Sequence, residues 1–415
     1  MAQSYDVLII GGGAAGITVA AALRRRNRQL KVGMIEPSDA HYYQPALTLV
    51  GAGVQTVAQN TRLEAHLVPA NTTWIKDRAV GFEPDENRVL LEKGNPVGYD
   101  YLVVCPGLKC DWDKIEGLNE TLGSNNVSSN YSHEFAAYTW ECIQKLTSAE
   151  GPAVFTQPPM PIKCPGAPQK IVYLAADYFK KKRRNLEVIF HTATPSIFGV
   201  PYFARVLDEH ISRHKVDFHK QSNLTKVDGE NKIATFTNPD GETTEVKFGM
   251  LHVTPPQCSP DFIKNSPLAD EAGWMDVDKG TLQSTKYPNI FGLGDVTNTP
   301  NSKTAAAIRK QAPVVLDHIL ALKTGGVMKS EYDGYASCPL TTGYGEMILA
   351  EFRYGGQVTP TIPLSPRIAR RSYWYIKKWG LAILYWSYML KGYEWDVPHN
   401  INFIEDDLEE ESAEG

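Results

Sequence analysis

Several features are scarce in this sequence, and each scarcity removes a class of function. The aromatic-rich apolar stretch near the C-terminus, Trp379 to Leu390, is uncharged for only 12 residues. A helix needs ~20 to cross a bilayer. Cysteine occurs six times in 415 residues, at 105, 110, 142, 164, 258 and 338, with no Cys-x-x-Cys and no histidine spacing that reads as a zinc site. That usage fits a reducing compartment, where any disulfide is expected to be catalytic and not a scaffold staple. There is no basic excess: the net charge is −5 with 21% charged residues, so no overall field argues for nucleic acid. Only Met1 to Ser4 precede the first strand, so no signal or transit peptide is expected.

What is present begins at once, with YDVLIIGGGAAGITVAAALRRRN. Val7 to Ile10 is a short apolar run suited to a buried parallel strand. Gly11, Gly13 and Gly16 fall in the G-x-G-x-x-G pattern, with Gly12, Ala14 and Ala15 between them, and good helix formers continue to Leu23. Gly11 permits the tight turn, Gly13 admits a pyrophosphate close to the backbone, and Gly16 lets helix pack on strand. The helix N-terminus then favours the negative charge. Glu36 closes the next strand, where a carboxylate accepts hydrogen bonds from ribose hydroxyls. Strand, glycines, helix, strand and acid in this order predict an ADP-containing dinucleotide.

Strands are predicted at Thr72 to Asp77, Ala79 to Phe82, Arg88 to Leu91 and Tyr99 to Val104, the last running into Cys105-Pro106-Gly107. In flavoproteins with two dinucleotide folds a related run passes between domains close to the cofactor. Residues 108–150 read as polar and helical. Ala153 to Thr156, Ala167 to Lys182 and Leu186 to Thr192 then predict a second βαβ unit. Its first loop carries Pro158, Pro159, Pro161, Pro165 and Pro168 with the single glycine Gly166. Proline removes N–H donors, so this loop is not expected to cradle the pyrophosphate of NAD(P)H. Cys164 stands in it, where nicotinamide binding would begin.

Tyr202 to His214 predicts a helix, and Val246 to His252 a strand. Ile290 to Leu293 ends in Gly294-Asp295, a second flavoprotein signature that sets Asp295 against a ribityl chain. A helix from about Ser302 then aims its N-terminus at the flavin pyrimidine edge, with Lys303 and Thr304 in its first turn. Strands are expected within 327–362, which contain Cys338. The stretch RIARRSYWYIKKWGLAILYWSYMLKGYEW follows, with Trp379, Ile383, Trp386 and Leu390 on one helical face, flanked by Arg370, Arg371, Lys377, Lys378 and Lys391. This pattern predicts a helix lying in a membrane interface, with a buried core or dimer helix as the alternative. With a flavin and no nicotinamide cradle, thiols are the available electron donors. Cys164 and Cys338 stand out by setting, although spacing cannot show that they meet.

The segments HYYQPALTLVGAG, IKCPGAPQKIVYL, MLHVTPPQ, GLGDVTNTPNSKTAAA and YDGYASCPLTTGY, in this order, resemble the sulfide:quinone oxidoreductases, specifically the type that includes mitochondrial enzymes. The resemblance implies an α/β fold of two Rossmann-type, glutathione-reductase-like domains plus C-terminal amphipathic membrane-attaching helices. FAD would be bound by residues 1–107 and 253–326. A second Rossmann-like domain without an NAD(P)H fingerprint would span 108–252, a quinone and membrane region 327–398, and an acidic tail 399–415. The resemblance also implies that Cys164 and Cys338 are the redox-active pair, and that Gln44, Pro45, Ala79, Val80, Cys105, Pro106 and Gly107 join the glycine loop, Glu36, Gly294, Asp295, Lys303 and Thr304 around FAD. Hydrogen sulfide would be oxidised to sulfane sulfur, a small sulfane-sulfur acceptor would remove it, and membrane quinone would take the electrons. The expected location is peripheral, on an inner or cytoplasmic membrane, with a homo-oligomer left open. Alternatives are a type II NADH:quinone oxidoreductase, the flavoprotein subunit of flavocytochrome c sulfide dehydrogenase, and a non-enzymatic flavin-binding protein.

Overall fold

The structure is a computed structural model describing residues 3–396, so the acidic tail at 399–415 lies outside the described residues. β1 (Ser4–Ile10) is buried without interruption from Val7, and α1 (Ala14–Arg26) follows directly after the glycine loop. β2 (Val32–Ile35) runs parallel to β1, and β3 (Thr72–Ile75) parallel to β2. β4 (Ala79–Glu83) and β5 (Arg88–Leu91) are antiparallel neighbours, and β5 pairs antiparallel with β6 (Val97–Val104), which lies parallel to β1.

A second sheet is parallel throughout. It is built from β7 (Val127–Ser128), β8 (Ala153–Gln157), β9 (Val188–Thr192), β10 (Asp217–His219) and β11 (Met250–His252), in the order β7-β11-β8-β9-β10. α2 (Ala167–Lys181) connects β8 to β9, and α3 (Pro201–His214) connects β9 to β10. A separate antiparallel sheet of Asn223–Asp228, Ile233–Thr237 and Thr243–Lys247 follows β10 in the chain. The chain then returns to the first sheet, where β12 (Ile290–Gly292) pairs parallel with the end of β6. α4 (Ala305–Lys323) packs on α1, and the hairpin of β13 (Ala336–Gly343) and β14 (Glu346–Phe352) packs against α2. The continuous burial of β2, β8 and β9, and of β1 from Val7 onward, follows from this layering, because parallel strands covered on both faces expose no side.

Three expectations are corrected. Residues 108–150 hold only one α-helix, Ala136–Lys145. Gly117, Gly123, Asn125 and Asn126 all take positive φ before it and break any helical period. The strand expected at Val246 to His252 divides between two sheets. A Cβ on Gly249 would stand 2.7 Å from the Gly151 carbonyl oxygen, so the chain turns there against a neighbouring backbone.

The third correction concerns the C-terminal helical segment at 371–391. It contains two π-helical stretches, Ile376–Gly380 and Leu384–Tyr388, and each wide turn rotates the residues that follow it. Tyr375, Trp379, Ile383, Leu384 and Tyr388 are therefore exposed, while Leu390 is buried and Trp386 packs on the core beneath α1 and α4. The stripe expected through Trp379, Ile383, Trp386 and Leu390 is split between solvent and interior.

Candidate active site

The glycine loop is tight in the places its spacing demands. A Cβ on Gly16 would lie 1.8 Å from the Gly11 carbonyl oxygen, and one on Gly11, at φ +101°, would lie 2.6 Å from the Cys105 carbonyl oxygen. Gly13 and Gly107 face open space, with nothing within 4 Å of a built Cβ. Glu36 Oε2 accepts the Gly12 N–H at 2.7 Å. Its burial, opposed by the N–H donors of Gly12 and Ser38, leaves its carboxyl above the ordinary range. Gly16→Ala is expected to cost about 3 kcal/mol or more through collision with backbone, read as loss of bound flavin on purification and a lower thermal midpoint.

The other expected cofactor residues fall as follows. Ala14 and Ala15 open α1. Ala79 packs in one cluster with Ile10 and Ile35, the last residues of β1 and β2, whereas Val80 is exposed at a bulge between β4 and β5. Cys105 is buried beside Gly11, where desolvation pushes its thiol far up, and Pro106 Cα lies 2.9 Å from the Gly11 Cβ position. Gly294 takes φ +78°, and the neighbouring Asp295 accepts no hydrogen bond from any described residue while burial raises its carboxyl. Thr304 caps α4, its hydroxyl accepting the Ala307 N–H at 3.2 Å. Lys303 donates to the Thr297 carbonyl at 2.6 Å, and burial brings its ammonium down to about 8. A glycine loop open at Gly13, an N–H-bound Glu36 and an Asp295 carboxylate without a partner fit an FAD pyrophosphate, ribose and ribityl chain.

The proline loop of the second βαβ unit holds sulfur where its relatives in architecture would hold phosphate. Cys164 stands at φ +48°, anchored by its N–H on the Lys303 carbonyl at 2.9 Å. β13 brings Cys338 beneath it, so that two sulfurs 174 positions apart lie 4.0 Å from each other. Lys170, one turn into α2, donates to Cys164 Sγ at 3.1 Å. The hydrogen bond from Cys338, aided by Lys170 and Lys377, holds the Cys164 thiol well below its usual value despite burial. Cys338 is held well above its own by that same hydrogen bond and by burial, with the Gly166 N–H at the start of α2 acting against the shift. The pair is thus polarised, with the negative charge on Cys164. Elsewhere burial raises the thiols of Cys110, Cys142 and Cys258.

The sequence places Lys377 among the cations that flank a surface helix. Its side chain instead turns inward, only 4% exposed, and donates to the Pro45 carbonyl at 2.7 Å. Burial, with the like charge of Lys170, brings it down to about 7. Gln44 is tied to the same region, accepting from Lys163 Nζ at 2.5 Å. His41 and Glu64, which carry no sequence motif, also lie against the glycine loop. His41 Nδ1 lies 3.2 Å from the Gly12 carbonyl oxygen and 3.3 Å from Glu64, and its Nε2 lies 2.5 Å from the Tyr385 hydroxyl. The C-terminal segment therefore reaches the glycine loop through His41 and the backbone at Pro45 through Lys377, whose charge acts on Cys164. A cavity of about 710 Å³ opens beside Pro165 and Lys303, walled by Phe198, Trp274 and Phe352. No group of side chains among the described residues could hold a metal ion.

Residues 5–139 match the pyridine nucleotide-disulphide oxidoreductase family. The chain is 44% identical over 403 residues to the mitochondrial sulfide:quinone oxidoreductase of Mus musculus, covering 95% of this chain and 88% of the relative. It is 43% identical over 392 residues to the mitochondrial sulfide:quinone oxidoreductase of Dictyostelium discoideum, covering 93% and 86%. The X-ray structure of the sulfide:quinone oxidoreductase from the hyperthermophilic bacterium Aquifex aeolicus shares the fold, with a TM-score of 0.79 at 22% identity over 94% of this chain and 92% of that one. Identity of this extent, sustained along nearly the whole of both chains, makes this protein an enzyme of the sulfide:quinone oxidoreductase family.

Proposed function

We propose that the chain oxidises hydrogen sulfide to sulfane sulfur at Cys164 and Cys338 and passes the electrons through FAD to a membrane quinone. The observation that carries the reading is the 4.0 Å approach of the two sulfurs with Lys170 at 3.1 Å from one of them. In the oxidised protein the two are joined. Hydrosulfide attacks the Cys338 sulfur, the S–S bond breaks, and Cys338 carries S–SH while Cys164 departs as thiolate. The direction follows from the thiols: the better leaving group is the one with the lower pKa, and that is Cys164. A nucleophile such as sulfite, glutathione, cyanide or a second sulfide then takes the outer sulfur with its proton and leaves Cys338 as thiolate. Closure of the S–S bond between two thiolates releases two electrons. A bound FAD supplies the two-electron acceptor for that closure and the donor to quinone.

Lys170 places an ammonium group beside the developing thiolate, and Lys377 adds a second positive charge to the region while it is protonated. The cavity at Pro165 and Lys303 gives the sulfur acceptor its approach. Ala272→Trp at its wall is expected to raise the KM for glutathione or sulfite several-fold and leave anaerobic reduction by sulfide unchanged; equal KM values would exclude this route. The function itself is tested by anaerobic mixing. Sulfide bleaches the flavin and NADH does not, and the reverse pattern would favour NADH:quinone oxidoreduction, against which the proline loop stands.

No helix among the described residues is long and apolar enough to cross a membrane. The chain attaches peripherally to a quinone-containing membrane through the exposed face of Tyr375, Trp379, Ile383, Leu384 and Tyr388. Trp379→Ser with Ile383→Ser is expected to weaken partition into phosphatidylcholine vesicles on the order of a hundredfold or more, since each side chain buries about 1.5 kcal/mol or more in lipid. Flotation measures this, and undiminished binding would discard the face.

A further inference from the structure

A second concavity, of about 420 Å³, lies where the end of α1 meets the last turn of the C-terminal segment, lined by Arg24, Arg25, Arg28, Leu67, Pro69 and Lys391 among others. Four of its lining residues are cations and none is an acid, in a chain of net charge −5. The nearby carboxylates are already taken: Asp317 and Glu394 pair with Arg26, the next residue on α1. Arg24 donates to the Leu30 carbonyl, and the Arg25 guanidinium carbon lies over Tyr393, 3.7 Å from the ring centroid. Arg28 and Lys391 are exposed and have no partner among the described residues. The C-terminus of α1 by itself attracts basic side chains. Arg28, however, lies beyond the helix end, and Lys391 comes from another element altogether.

The two walls are locked together. Gly392, at φ +70°, approaches α1 so closely that a Cβ there would stand 2.4 Å from the Ala21 and Ala22 backbone. The concavity is also continuous with the exposed apolar face. Tyr388 of that face packs on Tyr393 at 5.9 Å between centroids, and Tyr393 in turn carries Arg25.

We infer that this concavity receives the phosphodiester headgroup of an anionic phospholipid whose acyl chains lie along the adjoining aromatic face. Guanidinium groups match phosphate oxygens in pairs, and the neighbouring apolar surface suits the rest of a lipid better than a free phosphate. The inference rests on the membrane reading given above. It adds that the bilayer is selected by charge, with the last turn of the C-terminal segment held at headgroup depth.

The test is flotation of the flavin-loaded, full-length protein with vesicles of phosphatidylcholine alone and with phosphatidylglycerol added. Each neutralised cation near an anionic surface is worth about fivefold, so Arg25→Gln/Arg28→Gln/Lys391→Gln is expected to lower affinity for the anionic vesicles on the order of a hundredfold. Binding to pure phosphatidylcholine, the thermal midpoint and sulfide bleaching should not change. Lys180→Gln/Lys182→Gln/Arg183→Gln, an exposed triplet at the far end of α2, removes the same charge and should leave anionic binding within about twofold. Equal losses in both triplets, or no anionic preference in the parent, would overturn the pocket and leave membrane attachment standing. Displacement from anionic vesicles by inorganic phosphate at concentrations that leave the ionic strength unchanged would overturn the lipid assignment. Failure of the parent to bind either vesicle would remove the membrane reading and the pocket with it.

Discussion

Serine in place of Cys164 slows the anaerobic bleaching of flavin by sulfide roughly 10³-fold or more, because the leaving thiolate and one half of the S–S bond disappear together. Cys338→Ser has the same outcome for a different reason: hydrosulfide loses the sulfur it attacks. The two variants are separable in the reduced state. In Cys338→Ser, Cys164 keeps Lys170 at 3.1 Å and remains the thiol that iodoacetamide alkylates first. In Cys164→Ser, Cys338 remains fully buried, its thiol raised by desolvation, and it alkylates slowly. Rapid reduction by sulfide in both variants would end the assignment of the pair. Equal alkylation rates for the two lone thiols would end the polarisation on which the direction of attack depends.

Lys170→Met moves the pH at which Cys164 ionises upward by about one to two pH units. A hydrogen bond to a charged group contributes about 1.5–3 kcal/mol, and 1.36 kcal/mol corresponds to one pH unit. The sign is fixed by the direction of the native shift: Cys164 lies well below an ordinary thiol, so removing a cation that stabilises its thiolate returns it toward the ordinary value. Lys377 modulates the effect. Held at about 7 by burial and by Lys170, it is charged below that pH and largely neutral above it, so its support for the thiolate fades as pH rises through 7. In the Lys170→Met protein the like charge is gone and Lys377 keeps its proton to higher pH, compensating in part. The double variant with Lys377→Met should therefore exceed either single change. Iodoacetamide alkylation of the reduced protein, followed by mass spectrometry from pH 5 to 9, reads the profile. A superimposable profile for Lys170→Met would show that the ammonium group does not govern this thiol.

The geometry of the glycine turn was legible residue by residue because its constraints are local. Gly11, Gly13, Gly16 and Glu36 belong to one βαβ turn, and the contacts that forbid side chains at Gly11 and Gly16 come from that turn and the adjacent Cys105 strand end. The second βαβ unit was equally legible, with its strands and crossover helix close to where the pattern puts them. Residues 108–150 misled because polar, helix-compatible composition says nothing of the left-handed asparagines that interrupt it. The C-terminal segment misled through its two π turns, which no 3.6-residue count anticipates.

By itself, then, the order of residues determined a nucleotide-binding α/β architecture, one glycine cradle and not two, and two cysteines in suggestive settings. Only the tertiary structure decided that Cys164 and Cys338 meet, that Lys170 and Lys377 converge on one of them, and that His41 and Tyr385 tie the C-terminal segment to the glycine loop. The reason is range: a turn is specified by the few residues that close it. An approach across 174 positions depends on how β13 packs beneath α2, and whether a lysine faces solvent or sulfur depends on the rotation of a helix against its core.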